Sequence, residues 1–368
     1  MSLNKLQVAV AENICTSDMP TTCSSKMLEG FKSPYDATVI KRLKDQGAVI
    51  TGKIEIDEFN IGTGEKMTES IISSGAYFIV GSDTDGSLRL PAANCGMVGY
   101  KPTYGAVSRH GLISYAGSFD QIGAITRTVS DAALLISAIA GFDEFDATSN
   151  PNFKLDLSGI REFNAGNIKG KKIGIPREYA RDIEPLNAVV ETYKSMGAEF
   201  VDISMPLTEY ALPVYYIISS AEASSNLAKF DGLRYGYRTK NFSDVDSLYI
   251  NSRTEGFGEE VKKRIIMGTY VLSSEHYAEY YKKARIAMFM MKEEFKAAFE
   301  KCDIILTPVC DNRHTVPANI AGLPAISVPC GKNQNNKYVS FQLIGKRFDD
   351  ANLLGFARMF ESESGEIK

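Results

Sequence analysis

Apolar and polar positions alternate in blocks that predict helices followed by strands. Residues 33–47 place apolar side chains at helical spacing behind the capping residues Ser33 and Asp36, and a β-rich run over 48–51 follows. Thr128 and Asp131 form a capping-box-like start for a helix that ends at Gly141. These blocks predict alternating helices and strands.

The same alternation continues to the C-terminus. Apolar residues from Tyr281 to Cys302 recur every three or four positions, which predicts an amphipathic helix that packs into the core. Four runs are predicted to be strands: KKIGIP, CDIILTPV, PAISVPCG and YVSFQLIG. We therefore expect an α/β fold with a mixed or mostly parallel central sheet covered by helices on both faces.

Two regions lack regular periodicity, residues 62–75 and 143–167. The second is polar and contains Pro and Gly, so we predict a loop or hinge between two lobes there. The 368 residues are otherwise expected to form one domain.

Composition excludes several classes of protein. No apolar run is long enough to span a membrane, and the opening residues carry no secretory pattern. Six scattered cysteines form no metal-binding spacing and are expected to be reduced. A net charge of −4 disfavours a nucleic-acid surface over the whole chain, although a partner protein can supply one.

The segment GSDTDGSLRLPAANCG, residues 81–96, holds the candidate chemistry. It is neither a phosphate-binding P-loop nor the nucleophile elbow of α/β-hydrolases, and its composition alone fits a structural turn. Small residues around Gly86 and Ser87 allow successive amides to converge on one point, as in an oxyanion hole. The three histidines lie in no motif that supports a Ser-His-Asp triad.

This segment and its continuation to Leu135 resemble the amidase signature family, and within it the A subunits of glutamyl-tRNA(Gln) amidotransferases. The likeness extends over most of the chain, through TTCSSKMLEGF, YDATVIKRL, GK..IDEF, YYIISSAEASSNLAKFDGLRYGYR, RTEGFGEEVKKRIIMGTYVLSSEHYAEYYKKA and AGLPAISVPCG. It implies the amidase-signature fold in a domain that begins close to the family's base motif and is therefore N-terminally shortened.

The resemblance implies hydrolysis of glutamine, with the ammonia used to convert Glu-tRNA(Gln) to Gln-tRNA(Gln). Ser87 matches the nucleophile, and the amides of Thr84, Asp85, Gly86 and Ser87 match the oxyanion hole. Tyr215 and Arg264 match the substrate-binding Tyr and Arg, and an Arg fork suits an α-carboxylate. Asp311 is the nearest match to the family's acid for the α-amine.

Three departures from the family pattern affect the chemistry. The base Lys is replaced by Ala11, and Lys53 belongs to a different motif. The Gly/Ser-rich loop that carries the family's second, cis-peptide Ser is shortened, which leaves Ser73 as the candidate and Ser70 as the fallback. Asp85 replaces a Gly, and its carboxylate would repel an oxyanion if it turned inward.

Two interpretations therefore remain open, an active glutaminase and a catalytically impaired protein or paralogue that keeps a structural role in the complex. A stand-alone amidase for small amides is disfavoured by the YYIISS and EGFGEEVKKRI segments. The resemblance implies a B-type partner subunit that holds ATP and Mg²⁺ and presents Glu-tRNA(Gln), and a small C- or F-type subunit. It implies that this chain itself binds no cofactor or metal and is not associated with a membrane. It also implies that the complex works in the bacterial cytoplasm or the mitochondrial matrix.

Overall fold

A computed structural model describes residues 3–364, without the side chain of Arg181. One ten-stranded sheet runs through it in the order β2-β1-β3-β5-β4-β9-β10-β8-β6-β7. Its strands are β1 Gln7–Ala11, β2 Val49–Ile54, β3 Phe78–Asp83, β4 Val98–Lys101, β5 Gln121–Thr126, β6 Lys172–Pro176, β7 Glu199–Ile203, β8 Ile304–Pro308, β9 Ala325–Lys332 and β10 Tyr338–Ile344.

The helices connect these strands and lie on both sheet faces, as predicted. They are α1 Thr38–Asp45, α2 Glu65–Ser74, α3 Arg89–Asn94, α4 Val129–Ile139, α5 Leu157–Glu162, α6 Ala165–Ile168, α7 Asn187–Ser195, α8 Ala211–Asn226, α9 Val245–Gly256, α10 Glu259–Leu272, α11 Tyr281–Phe299, α12 Asn312–Ala321 and α13 Asp350–Ser364. No helix within residues 3–364 is long and apolar enough to cross a membrane.

The sheet is mixed, but the expectation that it is mostly parallel is wrong. Four neighbouring pairs are parallel, β1 with β2 and β3 and β6 with β7 and β8, and the other five are antiparallel. Helix–strand alternation predicts parallel crossovers, whereas β9 and β10 follow each other as an antiparallel hairpin without an intervening helix. The alternation along the chain therefore fixed the fold class and not the strand directions.

The two irregular regions differ from each other. Residues 62–75 contain helix α2, which begins after Gly64 and ends at Gly75 in a left-handed conformation, so the prediction of irregularity there is wrong. In the other region, the Asp143 carboxylate accepts hydrogen bonds from Thr38 and Ser108, and α5 and α6 follow. The hinge at 143–167 stays a prediction.

Alternating strand residues separate an apolar face from the face that carries the site. Val10, Val80 and Tyr100 enter the main apolar core. Gly99 precedes Tyr100 on β4 and faces the other side of the sheet, toward α3. A Cβ atom at Gly99 would lie 2.8 Å from the Arg89 Cα and the Ala92 Cβ. This glycine allows α3 to lie directly on the sheet, which sets the position of the loop between β3 and α3.

Candidate active site

The loop between β3 and α3 is held from within by Asp83, the last residue of β3. Its carboxylate accepts hydrogen bonds from the amides of Gly86 (2.9 Å), Leu88 (3.3 Å) and Arg89 (3.4 Å). The amides at the start of α3 have no partner within the helix, so an acceptor here satisfies them. Asp83 thereby folds the backbone back and places Ser87 at the end of the strand.

Arg89 completes this support as a fully buried ion pair with Asp83. Its Nε donates to Asp83 Oδ2 at 3.0 Å, and its Nη2 lies 2.9 Å from Oδ1. The guanidinium also donates to Gln342 on β10 and to Asn319 on α12. Burial alone would raise the pKa of Asp83, but the charge and hydrogen bonds of Arg89 lower it to about 2. Asp83 is therefore a structural anion.

Gly86 lets α12 approach the loop. It has φ +115°, and a Cβ atom there would lie 2.3 Å from the Thr315 Oγ1. The Thr315 hydroxyl donates to the Asp85 carbonyl at 2.5 Å. Only glycine meets both the backbone and the space requirement.

The Ser87 hydroxyl is buried, with 8% of the residue exposed, and is fixed by three hydrogen bonds. Its oxygen accepts from the Asn60 Nδ2 at 3.0 Å and from the Thr84 amide at 3.2 Å, and it donates to the Ser82 carbonyl at 3.3 Å. Asn60 also donates to the Ser82 Oγ at 3.3 Å. Two donors thus converge on the atom that we predict to be the nucleophile.

Asn60, Ser82 and Asn13 are site residues that the sequence analysis missed. The Asn13 Nδ2 donates to the Ser82 Oγ at 2.7 Å, which extends the network from Ser87 to the end of β1. Asn60 directly follows the GK..IDEF segment and has φ +62°, a left-handed conformation that Asn tolerates better than most residues. The signal for Asn60 in the sequence is its position directly after a segment that resembles the family.

No general base contacts Ser87 among the described residues. The acceptor of its hydroxyl proton is a backbone carbonyl, which is too weak a base to take that proton. The Lys53 amine instead donates to the Ile14 carbonyl at 2.5 Å, and burial lowers its pKa to about 8. His314 lies against Asp182, with 3.2 Å between its Nε2 and the carboxylate. Neither Lys53 nor His314 acts as a base for Ser87 in this arrangement.

Ala11, at the position of the lost base, lies at the end of β1 in an apolar cluster. A Cβ atom on Gly81 would lie 3.4 Å from the Ala11 Cβ, 3.2 Å from the Met67 Cε and 2.9 Å from the Leu88 Cδ2. Apolar side chains therefore converge around the position where the family carries its base.

The structure does not bring Ser73 to Ser87. Ser73 lies on the exposed surface of α2, and its hydroxyl donates to the Ser70 carbonyl within the same helix. Ser70 accepts a hydrogen bond from the Glu55 amide. The predicted second Ser is wrong for both residues because they belong to a helix surface, and residues 3–364 contain no cis peptide bond. The Ser82 hydroxyl is linked to the Ser87 hydroxyl through the Asn60 amide, which donates to both.

The four amides predicted to form an oxyanion hole are used differently. The Thr84 amide donates to the Ser87 Oγ, and the Gly86 amide donates to Asp83. The amides of Asp85 and Ser87 have no acceptor among the described residues. The Thr84 hydroxyl donates to Asp120 at 2.7 Å, which anchors the loop on a further side.

Tyr215 and Arg264 lie beside the loop, and both act on Asp85. The Tyr215 hydroxyl faces the Asp85 carboxylate, and both this hydroxyl and the Arg264 charge favour its ionised form. Burial and the nearby Asp83 have the larger, opposite effect and raise the pKa of Asp85 to about 7. Asp85 therefore points into the predicted substrate subsite.

Asn312, and not Asp311, is the residue at the start of α12 that contacts Asp85. The Asn312 Nδ2 donates to the Asp85 Oδ2 at 3.1 Å. Asp311 instead caps α12 and pairs with Arg313, with 2.8 Å between the Arg313 Nη2 and its Oδ2. The N-cap position turns the Asp311 carboxylate back onto its own helix, and its assignment to the substrate α-amine stays a prediction.

The chain is similar to known amidase-fold proteins over almost its full length. The family model described as Amidase matches residues 2–68 and 70–315. The A subunit of glutamyl-tRNA(Gln) amidotransferase from Caldanaerobacter subterraneus is 43% identical, over 98% of this chain and 83% of the relative. A second bacterial relative, one of the A subunits of this amidotransferase from Clostridium acetobutylicum, is 44% identical, over 97% and 84%.

Solved structures of similar proteins have the same fold. The A subunit of the amidotransferase from Thermotoga maritima shares 36% identity and a TM-score of 0.79, over 97% of this chain and 82% of that one. A peptide amidase from Stenotrophomonas maltophilia, at 22% identity, has a TM-score of 0.79 over 98% and 83% and supports the fold alone. The resemblance in the sequence is thus confirmed, and this chain belongs to the amidase family of enzymes.

Proposed function

We propose that the chain is the A subunit of a glutamyl-tRNA(Gln) amidotransferase and that it hydrolyses glutamine to supply ammonia. The observation that carries this proposal is the convergence of Tyr215 and Asn312 on a carboxylate, near the positive charge of Arg264 and two residues from Ser87. Groups that hold a carboxylate beside a Ser hydroxyl suit an amino acid whose side chain ends in an amide. The names of the bacterial relatives support this assignment.

In the proposed reaction, the Ser87 Oγ attacks the side-chain carboxamide carbon of glutamine and loses its proton. The free amides of Asp85 and Ser87 would stabilise the oxyanion of the tetrahedral intermediate. The proton from the Ser87 hydroxyl passes to the amide nitrogen, the C–N bond breaks, the nitrogen leaves as ammonia, and a γ-glutamyl ester remains on Ser87. Water hydrolyses that ester to glutamate.

The proposal places the second half of the reaction on other subunits. A B-type partner would bind ATP, Mg²⁺ and Glu-tRNA(Gln), and a small C- or F-type subunit would complete the complex. The relatives named above are bacterial, which favours a bacterial cytoplasm over a mitochondrial matrix.

A second candidate is an A-type subunit that has lost glutamine hydrolysis and keeps its structural role. Two observations favour it: the Ser87 proton is donated to a carbonyl, and Ala11 lies among apolar side chains. In that case the complex would use free ammonia.

A glutamine-like electrophile tests the first candidate directly. The chain, assembled with its B-type partner, is treated with 6-diazo-5-oxo-norleucine and analysed by peptide mass spectrometry. We expect one adduct on Ser87, and none in Ser87→Ala. Labelling of wild type at another residue, or no labelling, contradicts Ser87 as the glutaminase nucleophile. A Ser73→Ala variant is the matched control and should label as wild type does.

A further inference from the structure

Asp85 introduces a carboxylate of this chain into the subsite that a substrate carboxylate would use. The residue is 8% exposed, and its side chain interacts with Tyr215 on α8 and Asn312 on α12. Its backbone cannot move away freely, because Thr315 holds its carbonyl at 2.5 Å. Polar groups from two helices thus already hold an anion.

Arg264 has an unused donor that suits a second anion. It is 8% exposed, its guanidinium carbon lies 4.2 Å from the centre of the Tyr216 ring, and its Nε is 3.4 Å from the Glu260 carboxylate. Its Nη1 is buried and has no hydrogen-bond partner within residues 3–364. A buried donor without a partner is costly, so it marks where a ligand oxygen fits.

A ligand carboxylate on the Arg264 Nη1 would share a buried site with the Asp85 carboxylate. Burial and the charge of Asp83 raise the pKa of Asp85 more than the charges of Arg264 and Arg89 lower it, so these cations do not cancel the repulsion. Glu260 adds a further negative charge 3.4 Å from the Arg264 Nε, whereas Tyr115 and Tyr215 are neutral near pH 7, because burial raises the pKa of each. Two like charges in one desolvated site cannot both stay ionised without a large cost.

We propose that Asp85 couples binding to protonation: an amide substrate that carries a carboxylate binds with uptake of one proton by Asp85, whereas a neutral amide binds without it. This inference rests on the proposed use of glutamine at the site. Burial and Asp83 raise the pKa of Asp85 in the ligand-free protein to about 7, so Asp85 is mostly ionised at pH 8 and can take up a proton from solvent when the ligand binds.

Calorimetric titration of the full chain with L-glutamine at pH 8, in buffers of different ionisation enthalpy and with Ser87→Ala in every protein so that glutamine is bound and not hydrolysed, measures the protons taken up. We expect about one proton per glutamine for wild type and about none for Asp85→Asn, which keeps the shape and removes the charge. Butyramide, an amide without a carboxylate, should bind either protein without proton uptake. Glutamine affinity should fall about tenfold per pH unit above pH 7 in wild type and stay level in Asp85→Asn.

The outcomes separate this inference from the proposed function. Equal proton uptake in wild type and Asp85→Asn, or the same uptake with butyramide, overturns the coupling while glutamine remains the ligand. Binding of glutamine to wild type without proton uptake overturns it as well, and is the result expected if the α-ammonium of glutamine pairs with an ionised Asp85. Binding of glutamine to Asp85→Asn but not to wild type supports the repulsion. If glutamine binds neither protein, both the glutamine assignment and the coupling fail.

Discussion

The side-chain amide of Asn60 donates a hydrogen bond of 3.0 Å to the Ser87 hydroxyl, across 27 residues of sequence. The same amide lies 3.3 Å from the Ser82 Oγ, so one side chain orients two hydroxyls. Asn60 reaches them from a left-handed backbone that it shares with Phe59. Asn60 is therefore a positioning residue for the nucleophile.

Replacing Asn60 separates its backbone role from its side-chain role. Asn60→Gly keeps the left-handed backbone and loses the amide, whereas Asn60→Ala loses both. We expect glutamine turnover to fall about tenfold in each variant, because the Ser87 hydroxyl loses an orienting donor. Denaturant unfolding should show Asn60→Ala to be less stable than Asn60→Gly by about 1 kcal/mol. Turnover equal to wild type in Asn60→Gly contradicts the positioning role.

Removal of the Asp83 charge should destabilise the fold more than any surface change. Asp83→Asn leaves the buried Arg89 guanidinium without its counter-ion, which we expect to cost about 3–5 kcal/mol in the free energy of unfolding. The exposed pair of Glu191 and Lys194 supplies the control, since Glu191→Gln should cost less than about 0.5 kcal/mol. Urea unfolding measures both, and equal small effects would show that the buried pair does not support the loop.

Restoring a lysine at position 11 should not restore a base. Ala11→Lys would place an ammonium among Met67, Leu88 and Ile79, and we expect a loss of stability of about 3 kcal/mol or more. Ala11→Met, of similar length without charge, should cost about 1–3 kcal/mol through overpacking. Unfolding curves and glutamine turnover are measured together. A rise in turnover with Ala11→Lys would show that the site retains a relay to Ser87.

Asp85 should make the folded state more stable as the pH falls. Its folded pKa of about 7 lies above the ordinary value of 3.8, so the folded state binds the proton first. The stabilisation is complete below pH 3.8 and is lost as the pH rises through 7, with a magnitude on the order of 4 kcal/mol. The difference between the unfolding free energies of wild type and Asp85→Asn isolates it, because the raised pKa of Glu361 is common to both. A difference that does not vary between pH 4 and pH 8 contradicts the assignment.

Local patterns predicted the regular elements well. The capping pair at Thr128 is present, with the Thr128 hydroxyl accepting from the Asp131 amide, and the amphipathic helix at Tyr281 runs to Phe299. Helix α2 escaped prediction because short polar stretches between glycines resemble loops. Strand direction depends on neighbours that are distant in sequence, which a periodicity cannot reveal.

For the site, too, motifs in the sequence predicted which residues take part but not the surroundings of each side chain. Motif resemblance located Ser87, Asp85, Tyr215 and Arg264, and the structure places them together. The resemblance could not predict that the two Asp residues of GSDTDGS differ in pKa. Asp83 has a pKa of about 2, and Asp85 has a pKa of about 7. Burial raises the pKa of both carboxylates; direct pairing with Arg89 outweighs this at Asp83, whereas the charge of Asp83 raises the pKa of Asp85 further.

Amidation of Glu-tRNA(Gln) by the assembled complex tests the central claim most directly. Product is measured with glutamine or with ammonium as the nitrogen donor, for wild type and for Ser87→Ala. We predict that wild type uses both donors and that Ser87→Ala keeps ammonium-dependent amidation while losing glutamine-dependent amidation at least about 10³-fold. Glutamine-dependent amidation that survives in Ser87→Ala, or that is absent from a wild-type complex active with ammonium, would contradict this claim.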